Sequence, residues 1–115
     1  MWSTPRDYKI YLNDILDSIA KIGEYTKDVS FEEFSKDSMR EDAIIRNLMT
    51  IGEAVKSIPQ DIRSRSPETE WEDMAGLRDI LIHQYFGTDL ETVWDIIKID
   101  MPKLKKDIDS LIRKL

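Results

Sequence analysis

From Tyr8 to Leu115 the apolar residues return every three or four positions, and they never alternate with period two for long enough to make a strand. A chain patterned this way can bury its apolar stripes only by packing helix on helix. In the first segment Tyr8, Leu12, Ile15, Ile19 and Ile22 carry the stripe; Pro5 suits a helix start and Gly23 its end. Ser30 to Glu33 reads as a capping box opening a short helical turn, and Ser38 to Glu41 as a second box. The second introduces a long amphipathic helix carrying Ala43, Ile44, Leu48, Ile51, Ala54, Val55 and Ile58, stopped by Pro59. Gln60 to Glu70 is a polar connection with room for one short turn. Trp71 to Phe86 is the next helical segment, with a break expected at Gly76 before Arg78 and an end at Gly87. Thr88 to Glu91 reads as a third box. After it Leu90, Trp94, Ile97, Met101, Leu104, Ile108, Leu111 and Leu115 recur at three and four, with a kink or helix boundary expected at Pro102. The expected fold is all-α: an up-and-down antiparallel four-helix bundle with one or two short extra helices, in a single domain over residues 1–115.

The length suits one compact domain that buries a core without staples. The absence of cysteine removes disulfides and thiolate metal sites and fits a reducing compartment. The polar opening Met1-Trp2-Ser3-Thr4-Pro5-Arg6-Asp7 is unlike a signal peptide, and no apolar run approaches the ~20 residues a membrane span needs. The expectation is a soluble cytoplasmic protein with no membrane partner. Seventeen basic against 23 acidic side chains leave a net charge of −6. Phosphate affinity comes largely from lysine and arginine displacing counterions, so an acidic chain that takes nucleic acid must do so in a local cleft holding a few arginines.

The chemistry has few places to be. His83 is the single histidine, there is no cysteine nucleophile, and the glycines at 23, 52, 76 and 87 are too scattered for a phosphate loop. No spacing argues for a metal or cofactor, and none is expected. Acid–base work at neutral pH points first to His83. On a straight helix Leu77, Ile80, Leu81 and Gln84 share one face, assigned to the core. Tyr85 falls within about 20° of Arg78, with Ile82 nearby, whereas His83 lies about 140° from Arg78. One straight helix therefore does not aim Arg78 and His83 at the same atom. Either the helix breaks near Gly76 to Arg78, or the site is built from two chains about a two-fold axis, which would also supply a second histidine.

Arg-x4-His followed by x-Tyr, on the third major helix of a small acidic all-α domain, resembles the HEPN superfamily. Arg46-Asn47-Leu48-Met49-Thr50-Ile51-Gly52-Glu53-Ala54 is similar to a second-helix motif of one branch. Trp71 to Tyr85, reading WEDMAGLRDILIHQY, is similar to its core signature, and Val93-Trp94 with Met101-Pro102 to its last helix. The assembled set resembles the HepT-like toxins, whose partners are small nucleotidyltransferases of the MNT family. The resemblance implies a homodimeric, metal-independent endoribonuclease, the toxin of a toxin–antitoxin pair. It implies His83 as general base or acid around the ribose 2′-hydroxyl and the leaving oxygen, and Arg78 holding the scissile phosphate, with a cyclic phosphate as product. It implies Asp79 as an orienting group for His83, Arg46 and Asn47 as lining for the cleft, and Tyr85 as the residue to which the nucleotidyltransferase antitoxin attaches AMP, blocking RNA entry beside Arg78.

Each residue also has a structural reading. His83 near a helix end can cap carbonyls, Arg78 can form an ordinary ion pair, and Tyr85 can be half-buried packing. Trp71 and Trp94 read as core or dimer contacts; Glu53 and the Lys103, Lys105, Lys106 group read as solvated faces. The rival function is a non-catalytic regulatory or substrate-binding subunit of a nucleotidyltransferase, and a third is a purely structural helical dimer.

Overall fold

The computed structural model describes the backbone of residues 7–86 and 89–115, with side chains for 8–82 and 89–115. The described chain is all-α. Helix α1 (Asp7–Thr26) is followed by short α2 (Phe31–Ser35), long α3 (Ser38–Lys56), short α4 (Gln60–Arg63), α5 (Trp71–Ala75), α6 (Leu77–Phe86) and α7 (Leu90–Asp95). A π-helical turn (Ile96–Asp100) then leads into α8 (Met101–Lys114). These make four main helical rods, α1, α3, α5–α6 and α7–α8, with two short extra helices, as the periodicity requires. Helix α1 packs along α3 and against α8, and α3 also takes α5 and α6. The core lies between them: Leu12, Ile15 and Ile22 of α1, Ile44, Leu48, Ile51 and Val55 of α3, and Ile108 and Leu111 of α8 are shut off from solvent. Among the described residues no helix is long and apolar enough to cross a membrane.

Local chemistry explains most boundaries. The Ser30 box closes in both directions: the Ser30 hydroxyl accepts from the Glu33 N–H, and the Glu33 carboxylate accepts from the Ser30 N–H, both at 3.1 Å. Two caps sit one residue away from their expected places. Helix α3 is capped by Asp37, not Ser38, because the Asp37 carboxylate both accepts from the Arg40 N–H and pairs with the Arg40 guanidinium at 2.8 Å. Helix α7 is capped by Asp89, which accepts from the Thr92 N–H and hydroxyl; Thr88, like Pro5 and Gly87, lies outside the described residues. Gly23 does not end α1. The helix runs another turn, where the Thr26 hydroxyl donates to the Ile22 carbonyl at 2.8 Å, and the chain reverses at Asp28 with φ 58°. An aspartate, whose short side chain tolerates the left-handed region, takes the role assigned to the glycine.

Gly76 separates α5 from α6 as expected, and Pro102 sits in the first turn of α8. Proline has no N–H to return to the previous turn. The turn before it widens, with the Met101 N–H reaching back to the Ile96 carbonyl.

The connection after α3 is held by Arg63. Its Nε donates to the Ile58 carbonyl at 3.0 Å and its Nη2 to the Val55 carbonyl at 2.8 Å, closing the exposed end of α3. Its guanidinium carbon stands 6.0 Å from the centre of the buried Trp71 ring, whose indole N–H donates to the Arg63 and Ser66 carbonyls. Trp71 is thus a core residue. Half-buried Trp94 packs at 5.1 Å between ring centres against Phe34 and at 6.0 Å against Phe31, tying α2 to α7. Arg63→Ala is expected to cost about 1–3 kcal/mol by removing both hydrogen bonds and leaving the Ile58 carbonyl without its donor. Arg63→Lys should recover little of it, since an ammonium cannot span both acceptors and face the ring. Denaturant melts of the three proteins measure this.

Candidate functional site

Arg78 is the second residue of α6, just past the break at Gly76, and its side chain is 52% exposed. What places it is the approach of α6 to α3. A Cβ on Gly52 would lie 3.4 Å from the Leu77 Cβ, 3.4 Å from the Met74 carbonyl oxygen and 3.5 Å from the Arg78 nitrogen. A methyl group there would be in ordinary contact with α6, and anything larger would meet it directly. Leu77 and Leu81, both 1% exposed, anchor α6 in the core one turn apart.

The core face of α6 is narrower than the wheel indicates. Ile80 was expected in the core with Leu77 and Leu81, yet it is 39% exposed, and Ile82 is 38% exposed. The cause is that α3 and the neighbouring helices cover only the strip through Leu77 and Leu81, so the flanking isoleucines stay at the surface. Gln84, assigned to the same face, has its side chain outside the described residues.

The Arg78 guanidinium meets Glu53 of α3 at 3.9 Å, and Glu53 also meets Lys56 at 3.7 Å. Both contacts are long and solvated, so they hold Arg78 loosely. Glu53, expected as a solvated face, is therefore the carboxylate beside the candidate phosphate-binding arginine. No sequence signal pointed to that pairing, because it joins two helices. Asp79 is exposed in the first turn of α6, where a carboxylate suits the helix dipole. The helix is unbroken from Leu77 to Phe86, so the break falls before Arg78 and not between Arg78 and His83. The side chains of His83 and Tyr85 lie outside the described residues.

Arg46 and Asn47 occupy a different stretch. They line an open groove of about 770 Å³ between α1 and α3, whose described walls do not include Arg78. The Asn47 amide is turned back on its own helix, donating to the Ala43 carbonyl at 2.9 Å. Arg46 projects from the exposed side of α3 on the stripe that reaches Glu53 seven residues later. The structure thus joins Arg78 to Glu53 and leaves Arg46 and Asn47 two helical turns along α3. Close to that groove Glu41 is buried at the start of α3, and burial, with repulsion from Asp42 and Asp37, raises its carboxyl above the usual range.

A second polar notch lies where α5 meets α8 and is lined by Glu70, Asp100, Lys103 and Asp107 among others. Lys103 donates to the Asp107 carboxylate at 2.8 Å and to the Glu68 carbonyl at 2.9 Å, so it ties down the start of α8. Its hydrogen bond to Asp107 raises the ammonium above its ordinary value. Burial, then repulsion from Asp73 and Asp95, pushes the Asp100 carboxyl up. A raised carboxyl means the folded chain binds the proton more tightly than the unfolded one. Asp100 therefore costs stability as pH rises from the unfolded value, near 3.9, through the folded one. Asp100→Asn is expected to melt higher than wild type at pH 7 and to converge on it below about pH 4. Paired thermal melts across pH test this. Among the described residues no group of His, Asp and Glu side chains could hold a metal ion.

An all-α bundle with Arg-x4-His on its third rod, the arginine presented on an exposed helix face, defines a HEPN-type helical domain. The comparisons make the class specific. The model of the Ribonuclease HepT-like family matches residues 15–111. The candidate RNase MJ0125 of Methanocaldococcus jannaschii is 46% identical over 110 residues, covering 96% of this chain and 95% of its own. The probable ribonuclease HepT of Thermococcus cleftensis is 44% identical over 106 residues, covering 92% and 96%. The chain also spans half the length of a further relative in the same Methanocaldococcus, the gamma-glutamylcyclotransferase and candidate RNase MJ0434, at 44% identity over 110 residues. No solved structure matches significantly. This chain belongs to the HepT-like ribonuclease family.

Proposed function

We propose that this ribonuclease is the toxin of a toxin–antitoxin pair, cutting RNA without a metal at a site shared by two copies of the chain. The observation that carries the reading is the position of the helix break. With Leu77–Phe86 unbroken, Arg78 and His83 stay about 140° apart in helical register. One copy of α6 does not direct both at one phosphate, whereas two copies meeting about an axis bring an arginine from one and a histidine from the other together. Ile80 and Ile82, exposed on opposite flanks of the buried strip of α6, each leave apolar surface that a second copy would cover.

In this reading the Arg78 guanidinium leaves its loose contact with Glu53 and takes the non-bridging oxygens of the scissile phosphate, a bidentate match of charge and shape. His83 removes the 2′-hydroxyl proton, the 2′-oxygen attacks phosphorus, and the bond to the 5′-oxygen breaks as that oxygen takes a proton from an imidazolium, producing a 2′,3′-cyclic phosphate. Asp79, one turn before His83, is a positioning residue for the imidazole, and Arg46 extends the surface that meets RNA. The antitoxin is a nucleotidyltransferase of the MNT family, which moves AMP from ATP to the Tyr85 hydroxyl and releases pyrophosphate. Tyr85 lies within about 20° of Arg78 in register, so the added phosphate would occupy the arginine and exclude RNA.

Expression alone in bacteria tests the reading. Wild type should arrest growth and leave cyclic-phosphate RNA ends, with cleavage by purified protein persisting in chelator. Arg78→Ala and His83→Ala should do neither. Equal growth of all three would favour a non-catalytic subunit of a nucleotidyltransferase. Co-expression with the nucleotidyltransferase should add the mass of AMP to wild type and not to Tyr85→Phe; modification of the phenylalanine variant would remove the assignment.

A further inference from the structure

Apart from Arg46, the groove between α1 and α3 has no part in the chemistry above. Its walls carry Lys21 and Tyr25 from α1 and Arg46 and Thr50 from α3. Neither Lys21 nor Arg46 forms an ion pair with a described residue. Asp42 is the one carboxylate among the groove's described walls, so the groove is cationic in a chain whose net charge is −6. Tyr25 is half-buried and packed on the core, which fixes its ring where it borders the groove. On α3 the groove ends one turn short of the candidate site. Thr50 lies one turn before Glu53 on α3, and Glu53 touches Arg78. From Arg46 to Glu53 is about 10 Å along the helix axis.

We infer that this groove is the subsite for nucleotides flanking the scissile phosphate, with Lys21 and Arg46 holding backbone phosphates and Tyr25 stacking on a base. The inference rests on the ribonuclease reading at Arg78 and names where the rest of the strand lies. Isolated cations beside a fixed aromatic ring are the combination by which single strands are held without reading their sequence. Placing them in one groove gives an acidic protein a local way to take a polyanion, with two cations beside one carboxylate. Lys21 and Tyr25 are positioning residues, since they act through the strand and not on the reacting atoms.

The experiment compares a single-stranded RNA oligomer that wild type cuts with the dinucleotide of its cut site, for wild type, Lys21→Ala, Tyr25→Leu and Tyr25→Phe. Wild type should prefer the oligomer. In Tyr25→Leu that preference in kcat/KM should fall about tenfold, within the range measured for loss of one stacked base, while Tyr25→Phe keeps it. Lys21→Ala should raise KM for the oligomer several-fold and flatten the slope of log KM against log salt by about 0.7, as for one lost phosphate contact on a single strand. An equal loss on both substrates would mean a merely structural role and overturn the inference. So would wild-type kinetics in all three variants, the result expected if the groove serves a protein partner. Those outcomes leave the ribonuclease reading intact. Failure of wild type to cut either RNA removes that reading, and the subsite with it.

Discussion

Arg78→Ala is expected to lower RNA cleavage by about 10²–10³-fold, the usual cost of removing one preorganised group that meets transition-state charge. It should leave the melting temperature close to wild type, because the side chain is 52% exposed and its contact with Glu53 is 3.9 Å long. An exposed ion pair of that kind is worth at most about 1 kcal/mol. Arg78→Lys keeps the charge but loses the planar fork, so it should restore only part of the rate. His83→Ala should cost about 10²–10⁴-fold, and it should remove the neutral-pH limb of the rate profile. Single-turnover cleavage, run beside thermal melts, decides between catalysis and folding. A loss of rate that tracked a loss of stability would place Arg78 among the structural residues.

The second large effect is expected at Gly52, where α3 meets α6. A methyl group there would meet Leu77 and the Met74 carbonyl at 3.4 Å, ordinary contact, so Gly52→Ala should fold and retain activity. The methyl fills the available space, and Gly52→Val or Gly52→Leu has to push α6 off α3. Overpacking of this kind costs about 1–3 kcal/mol. It also displaces the Arg78 backbone, which lies 3.5 Å from the added Cβ, so cleavage should fall by more than the stability loss explains. The expected signature is a bulky variant that remains folded at low temperature yet has lost most of its rate. A Gly52→Leu protein with wild-type cleavage would show that the α3–α6 approach does not position the site.

The particular residues show how far the sequence reaches. Helical period, the Ser30–Glu33 box, the stop before Pro59, the break at Gly76 and the disturbance at Pro102 all follow from interactions within a turn or two of backbone. So does the spacing of Arg78, His83 and Tyr85 on one helix. Caps are less legible: Asp37 outcompetes Ser38, and Asp89 caps α7, because a carboxylate can reach two donors. At Gly23 the helix simply continues, since a glycine permits a left-handed turn without requiring one.

By itself, then, the order of residues determined the all-α class, the main helices, their breaks and the register of the Arg-x4-His-x-Tyr motif. These depend on 3.6-residue geometry and on donors and acceptors a few positions apart. Only the tertiary structure decided that Ile80 stays at the surface, that Arg63 closes the end of α3 against Trp71, that Glu53 stands beside Arg78, and that Lys21, Tyr25 and Arg46 share one groove. A helical wheel gives the direction of each side chain from its own axis. Which directions are covered depends on where the neighbouring axes run, and that is set by the packing of distant residues such as Gly52 and Leu77.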